Sequence, residues 1–370
     1  LRFSKIELPG WLYYARGGGR TMKVASDKIS RKSAKWNNNF FHFKIGDQQI
    51  DYRDCGANGA AMRILPIALA NIGRSENIKE NIFSNAIITH GHARAHIGAI
   101  IYGLLVNELF KHSNNEFSAI DFLTDFGKNF EDNISINFNE YEGIPEWIER
   151  WNSDWVYTFE NHYKSICNEV LGVLQELYRA LRNEVSCEKV LRGIGCLRPD
   201  TKGSGTITVL AGLYIFLHHN KDPKAGMVNA VNFLGSDTDS IAGFAGGLYG
   251  ALYGDSIIPE EWYSVQDIDY LTTTAERLHG INVSDEQYAD SLRSELKSSL
   301  PNFDFSKTSM LEFKKDNIDI GDEINFEPIG KGIVLDIKKL PVVTQGKHAL
   351  VRDIEFDVGQ LCRFSTIISS

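Results

Sequence analysis

Cysteine is scarce in this 370-residue chain, which has five cysteines and no Cys-x-x-Cys pair. An odd, scattered set of cysteines argues against a disulfide framework, and the missing pair spacing argues against a zinc site. We therefore expect the thiols to be reduced and mostly structural. The five positions are Cys55, Cys167, Cys187, Cys196 and Cys362.

Long hydrophobic runs are also missing. No stretch of about 18 uncharged apolar residues occurs, and the first residues lack the pattern of a signal peptide. We therefore expect no membrane span and, by default, a cytoplasmic location. The composition, 43% hydrophobic and 24% charged, is that of an ordinary globular protein with a sizeable core.

The N-terminal part carries a net positive charge, unlike the chain as a whole. Residues 1–50 hold ten Lys or Arg and three Asp or Glu, within a chain whose net charge is -9. Around the glycines at 17–19, these basic residues could meet phosphates, or they could form a solvated helix face. No nucleic-acid-binding motif is present, so nucleic acid is a conceivable partner without support.

Apolar residues recur every three to four positions over most of the chain, which predicts helices at 59–73, 79–88, 93–111, 117–130 and 156–185. Three tryptophans at 147, 151 and 155 are expected to anchor packing. After residue 305 the pattern alternates, which predicts strands at 323–326, 332–337, 350–356 and 361–367. We predict an all-α helical domain over residues 1–300 with a small β-rich C-terminal appendage over 305–370.

The most informative segment is Gly-Ser-Asp-Thr-Asp-Ser at 235–240, followed by a glycine- and alanine-rich helix. A turn there could aim the oxygens of Asp237, Asp239 and Ser240 at one hard cation such as Mg²⁺. The alternative is that Asp239 or Ser240 merely caps the helix.

Three weaker segments precede it. Residues 54–63 form a glycine-rich turn before an apolar stretch, where free helix-start amides could hold a pyrophosphate; any tight turn could have the same composition. Thr-His-Gly-His at 89–92 places two histidines two apart, a spacing that does not converge on a helix, so a structural histidine is equally expected. Gly-Ser-Gly-Thr at 203–206 precedes another apolar helix.

In this order and spacing, the four segments resemble the ADP-ribosylglycohydrolase family, the group that includes the dinitrogenase-reductase-activating glycohydrolases. The resemblance covers roughly residues 10–265. It implies a compact all-α fold with a cleft for two Mg²⁺ ions, and cleavage of the glycosidic bond between ADP-ribose and its acceptor, an ADP-ribosylated protein or other modified group.

The resemblance also implies roles for particular residues. Asp237, Asp239 and Ser240 match part of the metal site, and His90 matches a residue near the distal part of the ligand. The loop that holds the diphosphate and ribose is matched by Gly56, Ala57, Asn58 and Gly59.

One departure bears on activity. The family carries an N-terminal Thr-Asp-Asp motif with further metal ligands, and a catalytic acidic residue upstream of it; neither is found in this sequence. The catalytic residue is therefore not assigned here and is expected upstream of Leu1. Two expectations follow: an Mg²⁺-dependent hydrolase whose N-terminal part precedes Leu1, or an inactive member that binds ADP-ribose or has a structural role. The acceptor and the oligomeric state are not predicted.

Overall fold

A computed structural model describes residues 2–14, 18–283, 318–326, 329–342 and 346–369. Contacts within the chain group it into two units, which we call the terminal unit (Leu1–Trp36 with Glu261–Ser370) and the central unit (Asn37–Glu260). The boundary predicted between residues 300 and 305 lies outside the described residues, and the predicted domain bounds stay a prediction.

Helices dominate the described residues. The α-helices, in chain order, are α1 (Leu8–Trp11), α2 (Arg20–Ile29), α3 (Leu65–Leu69), α4 (Ser75–Ala86), α5 (Ala93–Leu109), α6 (Ala119–Lys128), α7 (Phe130–Ile134), α8 (Ile144–Asn152), α9 (Phe159–Arg182), α10 (Cys187–Gly193), α11 (Gly205–His218), α12 (Pro223–Asn232), α13 (Thr238–Tyr253) and α14 (Ile268–Val283). The strands are β1 (His42–Ile45), β2 (Gln48–Asp51), β3 (Glu323–Phe326), β4 (Gly330–Pro341), β5 (Lys347–Phe356) and β6 (Leu361–Ser369).

The core of the central unit is formed by α5, α11 and α13, which pack on one another. Every residue of α11 before His218 is buried, so the helix is apolar on all sides, as a helix enclosed by others must be. The helices approach closely at glycines. A Cβ at Gly98 of α5 would overlap the carbonyl group of Gly205, and one at Gly212 would lie 2.8 Å from the Cβ of Phe244 in α13. A side chain at either glycine would therefore force the helices apart.

The helix predicted over 59–73 is wrong. Residues Asn58–Arg63 form a 3₁₀ helix instead, and α3 starts separately at Leu65. Pro66 is the physical reason, because proline lacks the N–H that a continuous α-helix would need there and favours the first turn of a new one. The predictions for 93–111, 117–130 and 156–185 are confirmed by α5, α6 and α9.

Tryptophans anchor the loops on one side of the central unit, as predicted. Trp147 and Trp151 are fully buried. The indole N–H of Trp151 donates to the Gly91 carbonyl at 2.8 Å, and that of Trp147 donates to the Tyr52 hydroxyl at 3.0 Å. The segments around Tyr52 and Gly91 are thereby held in place.

The sequence pattern missed a hairpin. Strands β1 and β2 pair antiparallel across Gly46 and Asp47, and Gly46 has a φ of +58°, a conformation that glycine adopts at no steric cost. Each strand has four residues, too few for alternation to stand out in a mainly helical chain.

The terminal unit contains a four-stranded antiparallel sheet in the order β3-β4-β5-β6. All four predicted strand segments lie within these strands, so the β-rich appendage is confirmed. Its core includes Phe326, Ile354, Phe356 and Phe364. The ring of Tyr14 meets Phe326 edge to face at 6.0 Å. In the part of the chain that the structure describes, we find no helix with the length and apolarity needed to cross a membrane.

Candidate metal and ligand site

Two glycine-rich turns, distant in sequence, lie side by side in the central unit. The Gly205 N–H donates to the Gly56 carbonyl at 2.9 Å, and the Asn58 N–H donates to the Gly203 carbonyl at 3.0 Å. These bonds form an isolated antiparallel bridge between Ala57 and Ser204. The start of α11 and the start of the Asn58–Arg63 helix are therefore one paired structure.

The acidic segment joins this pair through Asn58. The side-chain amide of Asn58 donates to Oδ2 of Asp237 at 2.7 Å, and Asn58 is only 6% exposed. A Cβ at Gly203 would lie 3.9 Å from the same carboxylate oxygen. The turn at Asn58, 179 residues before Asp237 in the sequence, and the turn at Gly203 thus both lie beside the Asp237 carboxyl group.

Asp237 occupies the N-cap position of α13, yet its side chain makes no capping hydrogen bond to the helix backbone. Asp239 and Ser240 lie inside the first turn, so neither is the cap residue. The Asp237 carboxyl instead accepts a hydrogen bond from the Asn58 amide and lies beside the Asp239 carboxyl and the Ser240 hydroxyl. The segment is therefore organised around the carboxyl oxygens themselves.

The carboxyl groups of Asp237 and Asp239 lie close enough to shift each other's pKa. Burial raises the pKa of the Asp237 carboxyl, and its hydrogen bond with Asp239 raises that pKa further. The same hydrogen bond lowers the pKa of Asp239. Carboxylates this close repel one another unless a proton or a cation lies between them. With the Ser240 hydroxyl they form a set of hard oxygen donors, which fits Mg²⁺.

An open cavity of about 190 Å³ borders the acidic residues. Part of its wall is the polar pair Asp239 and Ser240, and the rest of the wall is mainly apolar. Met62 in this wall is 56% exposed. A ligand in the cavity would meet both apolar surface and oxygen donors. The apolar lining consists of Met62, Leu65, Tyr102, Gly243 and Phe244.

His90 lies in a buried layer behind the turn and is 1% exposed. Its Nδ1 is 2.7 Å from the Thr89 hydroxyl, which also accepts a hydrogen bond from Arg63 at 2.8 Å. Arg63 in turn donates to the Gly59 carbonyl at 2.8 Å. Burial, and next the charge of Arg63, lower the pKa of His90 well below its usual value, so the ring is neutral. Contact of His90 with a ligand stays a prediction.

The second histidine, His92, was not assigned from the sequence, because two histidines two apart do not converge on a helix. In the structure His92 is the N-cap of α5, and its Nδ1 accepts from the Arg94 N–H at 3.1 Å. A Cβ at Gly56 would lie 3.2 Å from the His92 ring. His92 thus backs the glycine turn, a role that only the tertiary structure reveals.

The protein is thus mainly helical, and a group of oxygen donors lies where two glycine-rich turns meet the start of α13. Comparison with known families is consistent with this architecture: the ADP-ribosylglycohydrolase family model matches residues 6–287, and the chain belongs to that family.

Two curated relatives are each called ADP-ribosylhydrolase ARH3. The protein from Danio rerio is 26% identical over 249 residues, covering 65% of this chain and 61% of the relative. The protein from Xenopus tropicalis is 24% identical over 230 residues, covering 60% of this chain and 58% of the relative. The chain thus spans about three fifths of the length of the relatives that it matches.

Proposed function

We propose that this chain is part of an Mg²⁺-dependent hydrolase that cleaves the glycosidic bond between ADP-ribose and a modified acceptor, such as an ADP-ribosylated protein. The observation that carries the proposal is the hydrogen bond from Asn58 to Asp237. It joins the turn matched to the diphosphate and ribose with the acidic segment matched to the metal. Family membership supports the choice of ADP-ribose as the ligand.

The spacing of the two carboxyl groups favours cation binding over acid–base catalysis. Glycosidases that work with an acid and a base or nucleophile hold their carboxyl groups about 5 to 9.5 Å apart, one on each side of the bond. Asp237 and Asp239 are within hydrogen-bonding contact, too close for a sugar to lie between them. They suit the role of cation ligands together with Ser240.

The remaining contributions come from the chain itself. A bound Mg²⁺ would supply Lewis acidity and lower the pKa of a coordinated water. Asn58 orients the Asp237 carboxyl, and the pairing of residues 56–58 with 203–205 fixes the turn beside it. The apolar wall of the neighbouring cavity can exclude water from part of a ligand.

Calorimetric titration of ADP-ribose into the chain, with Mg²⁺ and again with EDTA, tests the proposal. We expect binding that needs Mg²⁺ and is lost in Asp237→Ala. The matched control is Asp125→Ala, which removes an exposed carboxylate on α6 and should leave binding intact. Binding that is equal in EDTA and in Asp237→Ala would contradict a role for the cation, and no binding under either condition would contradict the choice of ligand.

A second function, binding of ADP-ribose without cleavage, is favoured by one observation. The sequence contains no Thr-Asp-Asp motif, so the further metal ligands that the family resemblance implies are not assigned in this chain. Release of free ADP-ribose from an ADP-ribosylated protein distinguishes the two functions. Release would support the hydrolase, whereas Mg²⁺-dependent binding without release would support the binding protein.

A further inference from the structure

A second group of metal-ligating side chains lies away from the acidic site, at the far end of α11. The Sγ of Cys187 and one ring nitrogen each of His218 and His219 all lie within 4.8 Å of one another. Helix α11 has 14 residues, and a helix rises 1.5 Å per residue. The cluster is therefore about 20 Å along the helix from Gly205 and the paired turns.

The two segments that carry the cluster are tied together. The Tyr214 hydroxyl donates to the Val185 carbonyl at 2.6 Å, which holds the chain just before Cys187 against α11. The Tyr249 hydroxyl donates to the Ile215 carbonyl at 3.1 Å. A Cβ at Gly226 would lie 3.0 Å from the His219 Cβ, so α12 also packs closely there. The backbone positions of the three ligands are thus fixed by contacts that do not use the sulfur or the ring nitrogens.

The ring nitrogens of the two histidines are free to coordinate. In the part of the chain that the structure describes, no hydrogen bond engages the ring nitrogens of His218 or His219. The His218 ring packs on Tyr214 with centroids 5.5 Å apart, and the two histidine rings meet edge to face at 4.9 Å. Cys187 is buried while both histidines are half-buried. An ion could enter past the imidazoles and reach the sulfur.

The chemistry of the three donors selects the ion. A thiolate and two imidazoles are soft to borderline ligands that suit Zn²⁺, whereas Mg²⁺ requires oxygen donors. In a tetrahedral site the bonds are about 2.1 Å to nitrogen and 2.3 Å to sulfur. Small rotations of the side chains would draw the three atoms in from their present separations. Three protein ligands leave the fourth position to a water molecule.

We infer that Cys187, His218 and His219 form a binding site for a zinc-like divalent cation, separate from the acidic site. Such an ion would join the start of α10 to the end of α11. Cysteine spacing could not indicate this site, because its single cysteine is completed by two histidines more than 30 positions further along the chain.

Titration with Co²⁺, a spectroscopic substitute for Zn²⁺, tests the inference on chain first stripped with EDTA. We expect one equivalent to give a sulfur-to-cobalt charge-transfer absorption that Zn²⁺ abolishes by displacement. The band should disappear in Cys187→Ala, and Co²⁺ affinity should fall at least about 100-fold in His219→Gln, since even losing a group behind the ligands costs 10- to 100-fold. The band should persist in Asp237→Asn, and in Cys167→Ala, which removes a buried thiol on α9.

The inference is overturned if Co²⁺ gives no thiolate band, or if the band survives in Cys187→Ala. If Cys187→Ala fails to fold, the double variant His218→Gln/His219→Gln takes its place, because it replaces only half-buried rings. A charge-transfer band like that of the wild type in this double variant would also overturn the inference. Zn²⁺ should further raise the melting temperature of the wild type and not that of the double variant. An equal rise in both would contradict the site.

Discussion

Replacing Asn58 with alanine is expected to destabilise the central unit by about 1.5 to 3 kcal/mol, the usual contribution of a hydrogen bond to a charged group. The bond to be lost is the 2.7 Å contact with Asp237, and Asn58 is nearly fully buried. Water cannot easily replace the amide there. For a unit of this size, the loss corresponds to a melting temperature lower by about 3 to 12 °C.

The measurement is urea denaturation in EDTA, arranged as a double-mutant cycle with Asp237→Ala. If the two side chains interact as described, Asn58→Ala should cost at least about 1 kcal/mol less when Asp237 is already alanine. Asn232→Ala, which removes an exposed amide on α12, should change stability by no more than about 0.5 kcal/mol. If the changes in unfolding free energy caused by Asn58→Ala and Asp237→Ala are simply additive in the double variant, the reasoning is refuted.

Two further predictions concern the frame around the site. Gly98→Ala should destabilise by about 1 to 3 kcal/mol through overpacking, because its Cβ would meet the Gly205 carbonyl. As a control, Gly172→Ala on α9, where a Cβ meets nothing within 4 Å, should stabilise the protein by up to about 1 kcal/mol. Urea denaturation measures the unfolding free energy of both variants. An unchanged unfolding free energy in Gly98→Ala would contradict the close helix crossing. Burial lowers the pKa of His96 to about 3 in the folded chain, whereas its pKa is about 6.5 in the unfolded chain. Between about pH 3 and 6.5 the unfolded chain therefore binds a proton at His96 that the folded chain does not, and the stability falls as the pH falls. In His96→Gln the slope of unfolding free energy against pH, measured between pH 6 and 5, should therefore be smaller by about 1 kcal/mol per pH unit, and an unchanged slope would count against a buried neutral His96.

Helical periodicity predicted much of this fold because long amphipathic or fully apolar segments leave little choice of structure. The strands after residue 305 were equally readable from alternation. The failure at 59–73 came from a proline near the middle of an apolar run, where the 3₁₀ helix and α3 divide. The β1–β2 hairpin was missed since two four-residue strands give too little pattern to oppose a helical context.

The acidic segment could be singled out from its spacing, whereas the partner that orients it could not. Asn58 reads as part of a glycine-rich turn, and only the folded chain reveals that its amide reaches Asp237. The grouping of Cys187 with His218 and His219 was likewise invisible, because it depends on how α10 meets the end of α11. The spacing of residues along the sequence can predict a site formed by a single turn. A site formed by several turns can be recognised only from the tertiary structure.

The pairing of Ala57 with Ser204 has a bearing on which insertions the chain can accept. It closes a loop of nearly 150 residues. The entropic free-energy cost of closing so long a loop increases by only about 0.6 kcal/mol each time the loop doubles in length. Extra residues in the irregular turn at 139–142 would therefore alter the closure cost very little. The two turns can therefore still meet beside Asp237 when the segment at 139–142 changes in length.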